Sequence, residues 1–126
     1  MSLSHGSVLS ERLIKMAIDV HRQLGPGLLE SAYEGCLCYE LEQGGIAYAR
    51  QVPLAVVYNT VRLDCAYRMD SVVERELLIE VKAVERVMPI HEAQMLTYLR
   101  LSGLKVGLLM NFNSVVLKDG LRRFVL

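Results

Sequence analysis

The stretch Leu77-Leu78-Ile79-Glu80-Val81-Lys82-Ala83-Val84 places two charged residues inside an otherwise apolar run. Its length and its aliphatic residues indicate a buried strand. Charged side chains inside such a strand cost free energy unless they are paired or bound to a metal ion. Glu80 and Lys82 are therefore the first candidates for a functional role.

A β-hairpin is expected to bring a second carboxylate to the same place. The run before this stretch, residues 61–73, also has the composition of a strand, and Glu74-Arg75-Glu76 joins the two. A turn centred on Arg75 puts Asp70 opposite Glu80, with side chains about 4.5–5.5 Å apart at Cβ. Two carboxylates this close repel unless a proton or a cation lies between them, and Mg²⁺ meets this need. The alternative is a structural ion pair on a solvated face of the sheet.

The rest of the chain supplies helices and further strands around this hairpin. Two helices, three strands, one helix and two strands are predicted, in this order, at residues 10–24, 28–43, 47–58, 61–73, 77–84, 90–102, 106–111 and 121–126. Ser10 is the expected N-cap of the first helix, and Pro53 marks an edge strand or an interruption. The order ααβββαββ predicts an α/β fold of the α+β type, in which helices pack on a mixed sheet.

Polar residues on two helices could reach the hairpin. Gln94 and Tyr98 are four residues apart and share one helix face. Glu30 lies in the first turn of the second helix, with Tyr33 on the same face. For each there is a simpler interpretation: Gln94 and Tyr98 as a solvent-facing polar pair, and Glu30 as a carboxylate placed favourably near the positive end of the helix dipole.

Composition limits the class of protein. The 126 residues form one predicted domain over residues 1–126, with residues 1–9 as a disordered leader. No apolar run has the roughly 18–20 residues that a membrane span needs, and no signal peptide is visible. The three cysteines, Cys36, Cys38 and Cys65, cannot all pair within the chain and match no zinc-binding pattern, which favours reduced thiols and a cytoplasmic location.

The balance of charge gives no support to a dedicated nucleic-acid-binding surface. Lysine plus arginine equals aspartate plus glutamate, 14 of each. We therefore expect weak binding by a monomer and a homodimer or partner protein that completes the surface. The basic residues expected near the site or at the C-terminus are Arg50, Arg68, Lys82, Arg100, Arg122 and Arg123.

The motifs together resemble a known family. Gly27-Leu28-Leu29-Glu30-Ser31-Ala32-Tyr33 resembles the motif that gives the GxxExxY family its name. Asp70, Glu80-Val81-Lys82 and Gln94-Met95-Leu96-Thr97-Tyr98 resemble the PD-(D/E)XK nuclease superfamily, in particular its RecB-like branch. The resemblance covers roughly residues 10–126. One departure is Met69, which stands before Asp70 where the name of the superfamily has proline.

The resemblance implies a restriction-endonuclease-like core and Mg²⁺-dependent hydrolysis of phosphodiester bonds in DNA or RNA, with Mn²⁺ as a substitute. It implies that Asp70, Glu80, the Val81 carbonyl and Glu30 serve the metal, and that Lys82 orients or activates water. Gln94 and Tyr98 would support the site or the substrate. The alternative is a catalytically silent or conditional nucleic-acid- or protein-binding module on a nuclease fold.

Overall fold

The computed structural model describes residues 5–126, apart from the side chains of residues 5–7 and 66. Within these residues, the structure has three α-helices, five strands and one 3-10 helix, in the order α1 (His5–Leu24), α2 (Glu30–Gln43), β1 (Tyr48–Tyr58), β2 (Val61–Val73), β3 (Leu77–Lys82), α3 (Pro89–Ser102), β4 (Val106–Asn111), the 3-10 helix (Leu117–Gly120) and β5 (Leu121–Val125). The predicted order ααβββαββ is confirmed, and only the 3-10 helix was not predicted.

The five strands form one mixed sheet in the order β1-β2-β3-β4-β5. All neighbours are antiparallel except β3 and β4, which are parallel and are connected through α3. A parallel pair requires such a crossover, since a tight turn can join only antiparallel strands. In this strand order β3 and β4 are inner strands, each with a neighbour on both sides.

The hairpin of β2 and β3 has the predicted register. Ser71 pairs with Ile79 and Val73 with Leu77. Glu74 and Arg75 in its turn both have positive φ, 54° and 58°. Two successive residues of this kind form a turn whose twist suits the right-handed twist of a hairpin.

The hairpin formed by β1 and β2 extends beyond the rest of the sheet. β2 pairs with β1 over most of its length, but with β3 only at residues 71–73. The remainder, which we call the hairpin arm (residues 52–69), is two-stranded and has a register shift between Leu54 and Val56. Pro53 lies in β1, which is an edge strand as predicted.

Helices cover both faces of the sheet. On one face α1 and α2 pack against the side chains of alternate residues of β3, including Leu77, Ile79 and Val81. On the other face α3 packs against Leu78 through Met95, Tyr98 and Leu99. Because successive side chains of a strand point to opposite faces, Glu80 and Lys82 lie on the same face as Leu78, beneath α3.

Three predicted boundaries are wrong for identifiable reasons. α1 begins at His5, so that Ser10 lies inside the helix and is not its N-cap; Leu9 and Ser10 are buried. The leader predicted for residues 1–9 overlaps α1 from His5 onward, while residues 1–4 lie outside the described part of the chain. α2 begins at Glu30 because Leu29 is extended.

The third strand ends two residues earlier than predicted, at Lys82. The Asn111 side chain accepts a hydrogen bond from Val84 N (3.1 Å) and donates one to Val84 O (2.9 Å). These bonds take up the backbone groups that would otherwise continue the ladder.

The cysteines Cys36, Cys38 and Cys65 are free thiols. Within residues 5–126, no helix combines the length and the apolar character that crossing a bilayer requires.

Candidate active site

Two carboxylates replace backbone hydrogen bonds where β2 and β3 separate. Asp70 N donates to Glu80 Oε2 (2.7 Å), and Val81 N donates to Asp70 Oδ2 (2.8 Å). Each side chain thus reaches across to the backbone of the opposite strand. The structure brings Asp70 and Glu80 together at the position that the hairpin register predicts.

Burial makes this pair of carboxylates electrostatically unfavourable. Glu80 is only 4% exposed. Desolvation raises the pKa of Glu80 to about 8, and the negative charge of Asp70 adds to the rise. Desolvation likewise raises the pKa of Asp70. The nearby Lys82 ammonium acts against both shifts without cancelling them.

Lys82 is held by α3. Its Nζ donates to Gln94 Oε1 (3.4 Å), and Gln94 Nε2 donates to the Tyr98 hydroxyl (3.2 Å). Burial and the charge of Glu80 raise the pKa of Tyr98, so its hydroxyl stays protonated and neutral near pH 7. The Gln94 and Tyr98 pair therefore faces the sheet and not solvent, and it fixes the position of the ammonium.

Glu30 reaches the end of β3 from the opposite helical layer. Its Oε2 accepts a hydrogen bond from Ala83 N (3.1 Å), next to Lys82, and its charge acts on Asp70. Leu29, the N-cap of α2, makes no side-chain capping bond. Glu30 thus links the N-terminus of α2, where a carboxylate is favoured, to the strand that carries Glu80 and Lys82.

The tyrosine of the GxxExxY motif is buried in the core. Tyr33 is stacked on Phe112, with ring centroids 4.6 Å apart. Its hydroxyl donates to Gly25 O (2.6 Å) and accepts from Leu28 N (3.1 Å). Gly27 has a φ of 103°, a conformation that side chains disfavour. Tyr33 therefore fixes the bend that leads into Glu30, and it lies away from the carboxylate pair.

A fourth carboxylate near the site was not predicted. Glu34 is 6% exposed, and its charge acts on both Asp70 and Glu80. It accepts hydrogen bonds from Arg50 Nε (3.3 Å) and Gln51 Nε2 (3.0 Å). The spacing of Glu30 and Glu34, four residues apart on one helix, was a signal that could have found it.

The predicted basic residues are not equally free. Arg50 is paired with Glu34, and Arg122 lies 3.8 Å from Glu92. Arg68 and Arg100 are exposed and donate to neutral oxygens, Gln51 O and Thr97 Oγ1 respectively. Carboxylates therefore partly neutralise Arg50 and Arg122, whereas the oxygens that Arg68 and Arg100 contact carry no charge.

The donor set suits a hard divalent cation. Asp70 and Glu80 offer two carboxylates, and Mg²⁺ commonly takes one or two together with water and phosphate oxygens. Burial raises the pKa of both groups and the charge of Asp70 adds to the rise for Glu80, so a cation here would offset an unfavourable concentration of negative charge. Across residues 5–126, no group of three or more His, Cys, Asp and Glu side chains is arranged to hold a metal. Asp70 and Glu80 therefore offer two carboxylates, and the remaining ligands of a bound Mg²⁺ would be other oxygen atoms.

Comparison with known proteins identifies the family of this chain. A family model described as the PD-(D/E)XK nuclease superfamily matches residues 7–124, almost the entire chain. The chain belongs to the PD-(D/E)XK nuclease superfamily. No curated protein and no solved structure matches it.

For a PD-(D/E)XK protein the departure at Met69 has a structural explanation. Met69 is buried and packs with Leu54 and Tyr98 in the core beneath the hairpin arm. The position before Asp70 is thus occupied by a side chain that fills space next to α3. The narrower resemblance to the GxxExxY family stays a prediction.

Proposed function

We propose that this protein is a magnesium-dependent nuclease that hydrolyses phosphodiester bonds. The observation that carries the proposal is the pair formed by buried Glu80 and half-buried Asp70, next to the Lys82 ammonium, which Gln94 and Tyr98 hold in place. Membership of a nuclease superfamily supports it, and the members are typically metal-dependent.

In this proposal Asp70, Glu80 and the Val81 carbonyl hold Mg²⁺, and Glu30 supplies a further carboxylate. The bound ion would polarise the phosphate and increase the acidity of the attacking water. Asp70 and Glu80 would bind the cation as carboxylates, so Glu80, whose pKa is about 8, would release its proton on metal binding.

Lys82 provides the positive charge that the protein itself contributes to the reaction. Its ammonium can donate to the attacking water and to the oxygens on which negative charge develops. Gln94 accepts from Lys82 and donates to Tyr98, so it orients the ammonium without taking its proton. Since Gln94 is neutral, it adds no negative charge that would compete with the phosphate for the Lys82 ammonium.

One feature favours a second candidate, a binding module without catalysis. Asp70, Glu80 and Glu30 each have one oxygen engaged by a backbone N–H group. These carboxylates already do structural work at the strand ends. A protein that kept them for folding alone would bind nucleic acid or a protein without cleaving.

A cleavage assay separates the two functions. Single-stranded and duplex DNA and RNA, linear and circular, are incubated with Mg²⁺, Mn²⁺ or no metal. Lys82→Ala should lower the cleavage rate about 100-fold or more, the usual effect of removing one preorganised donor. Lys15→Ala, an exposed lysine of α1, is the matched control and should cleave like the wild type.

Equal cleavage by Lys82→Ala and the wild type would show that the activity comes from another protein or another site. Binding without cleavage under every metal condition would favour the binding module.

A further inference from the structure

Tyr67 is an exposed aromatic residue beside the candidate active site. It lies in β2, on the hairpin arm, and is 47% exposed. Its ring meets Tyr98 edge-on, with ring centroids 6.3 Å apart and an angle of 62° between the planes. One edge of Tyr67 is thus held by the protein, while much of the ring remains open to solvent.

The contact with Tyr98 ties this surface to the site. The Tyr98 hydroxyl accepts from Gln94, which in turn accepts from Lys82. Leu54, the partner of Tyr67 across the arm, is buried together with Met69 against Tyr98. Tyr67 therefore rests on a packed base, two side chains away from the ammonium at the proposed cleavage point.

The zero net charge of the chain makes base stacking on an aromatic ring a useful source of affinity for nucleic acid. Phosphate contacts supply most of the affinity of strongly basic nucleic-acid-binding proteins. This chain has no net charge, and Arg68, the residue after Tyr67 in β2, is exposed. Stacking of bases on aromatic rings supplies affinity that does not depend on net charge.

We infer that Tyr67 stacks on an unpaired base of the substrate, next to the phosphate that occupies the active site. The inference rests on the proposed nuclease function and names its substrate class: single-stranded nucleic acid, or a junction with an unpaired nucleotide at the cleavage point. A base inside a duplex is stacked on its neighbours, so its face is not open to Tyr67.

The test measures binding and compares variants of two aromatic residues on the same arm. Fluorescence anisotropy is recorded on a labelled single strand and on a G·C-rich blunt duplex of the same length, with Ca²⁺ to prevent cleavage. The variants are Tyr67→Ala, Tyr67→Phe and Tyr58→Ala. Tyr58 is a matched control because it is 69% exposed at the end of β1, next to the turn of the arm.

Tyr67→Ala should weaken single-strand binding about tenfold and duplex binding less than twofold. Tyr67→Phe keeps the ring and should bind like the wild type, as should Tyr58→Ala. A series of strands with one abasic position each should contain a position that weakens wild-type binding but leaves Tyr67→Ala unaffected. A role of Tyr67 in packing alone would not produce this position dependence.

Two results overturn the inference in different ways. If the wild type cleaves nucleic acid, but Tyr67→Ala binds single strand and duplex like the wild type or loses both equally, stacking by Tyr67 is wrong and the nuclease function stands. If the wild type neither binds nor cleaves any of these nucleic acids, the proposed function fails and the inference fails with it.

Discussion

Replacing Glu80 by glutamine should make the metal-free protein more stable in alkaline solution. Glu80→Gln keeps the size of the side chain and an oxygen that can accept from Asp70 N. It removes the group whose ionisation the site opposes. The variant therefore imitates the protonated form of Glu80 at every pH.

The direction of this pH dependence follows from the number of protons that the folded and unfolded states bind. The pKa of Glu80 is raised from 4.5 to about 8 on folding, so between these values the folded protein holds a proton that the unfolded chain has lost. Stability from this group is complete below pH 4.5 and is lost as pH rises through about 8. The full loss is about 5 kcal/mol at 1.36 kcal/mol per pKa unit. Relaxation of the site and entry of water reduce this loss, so we expect the wild type to lose at least about 2 kcal/mol of stability.

The assay is thermal unfolding by circular dichroism at pH 5 and pH 9 without divalent cations. For a domain of this size about 2 kcal/mol corresponds to roughly 6–10 °C. Between pH 5 and pH 9, the melting temperature of the wild type should therefore fall by at least about 6 °C more than that of Glu80→Gln. Glu85→Gln, at an exposed position in the loop after β3, should follow the wild type.

Magnesium should restore the stability that the wild type, but not Glu80→Gln, loses in alkaline solution. At pH 9 and a concentration ten times its dissociation constant, Mg²⁺ should stabilise the wild type by about 1.4 kcal/mol. Glu80→Gln lacks one of the two carboxylates and should gain much less. The reasoning would be refuted if wild type and Glu80→Gln had the same pH dependence, since Glu80 would then ionise in the folded protein without cost.

Two further predictions follow from the same contacts. Asp70→Asn should abolish Mn²⁺ binding in titration calorimetry and leave the metal-free melting temperature unchanged or higher, because it removes one of two repelling charges; a large fall in melting temperature would support a structural ion pair instead. Tyr33→Phe should keep the stacking on Phe112 but leave Gly25 O and Leu28 N without a partner, at a cost of about 1–2 kcal/mol in urea unfolding; an unchanged urea midpoint would show that the hydroxyl does not hold the bend before Glu30.

The hairpin was predictable because its signals are local. A short polar turn lies between two segments of strand-forming residues. The position of this turn determines the register of the two strands and hence the pairing of Asp70 with Glu80. β2 and β4 have the predicted bounds for the same reason. The helix carrying Gln94 and Tyr98 was equally clear, since Pro89 and Gly103 mark its two ends.

What the sequence does not reveal depends on contacts between distant segments. The spacing of Glu30 and Glu34 points to Glu34, but the bonds that Arg50 and Gln51 of β1 make to its carboxylate join segments that the helical pattern does not connect. Gln51 has a φ of 51° inside a strand, a conformation that its residue type does not suggest. Ser10 resembles an N-cap, but it is buried within α1.

The carboxylate pair serves the fold and the proposed chemistry at the same atoms. Asp70 and Glu80 close the gap where β2 leaves β3, by accepting the backbone N–H groups of Val81 and Asp70. Each carboxylate has a second oxygen, and that oxygen can bind a cation without breaking the bond made by the first. An amide in place of either carboxylate keeps one acceptor oxygen, whereas alanine keeps none. Glutamine and asparagine variants therefore separate metal binding from folding, while alanine variants leave a backbone N–H unpaired and disturb both.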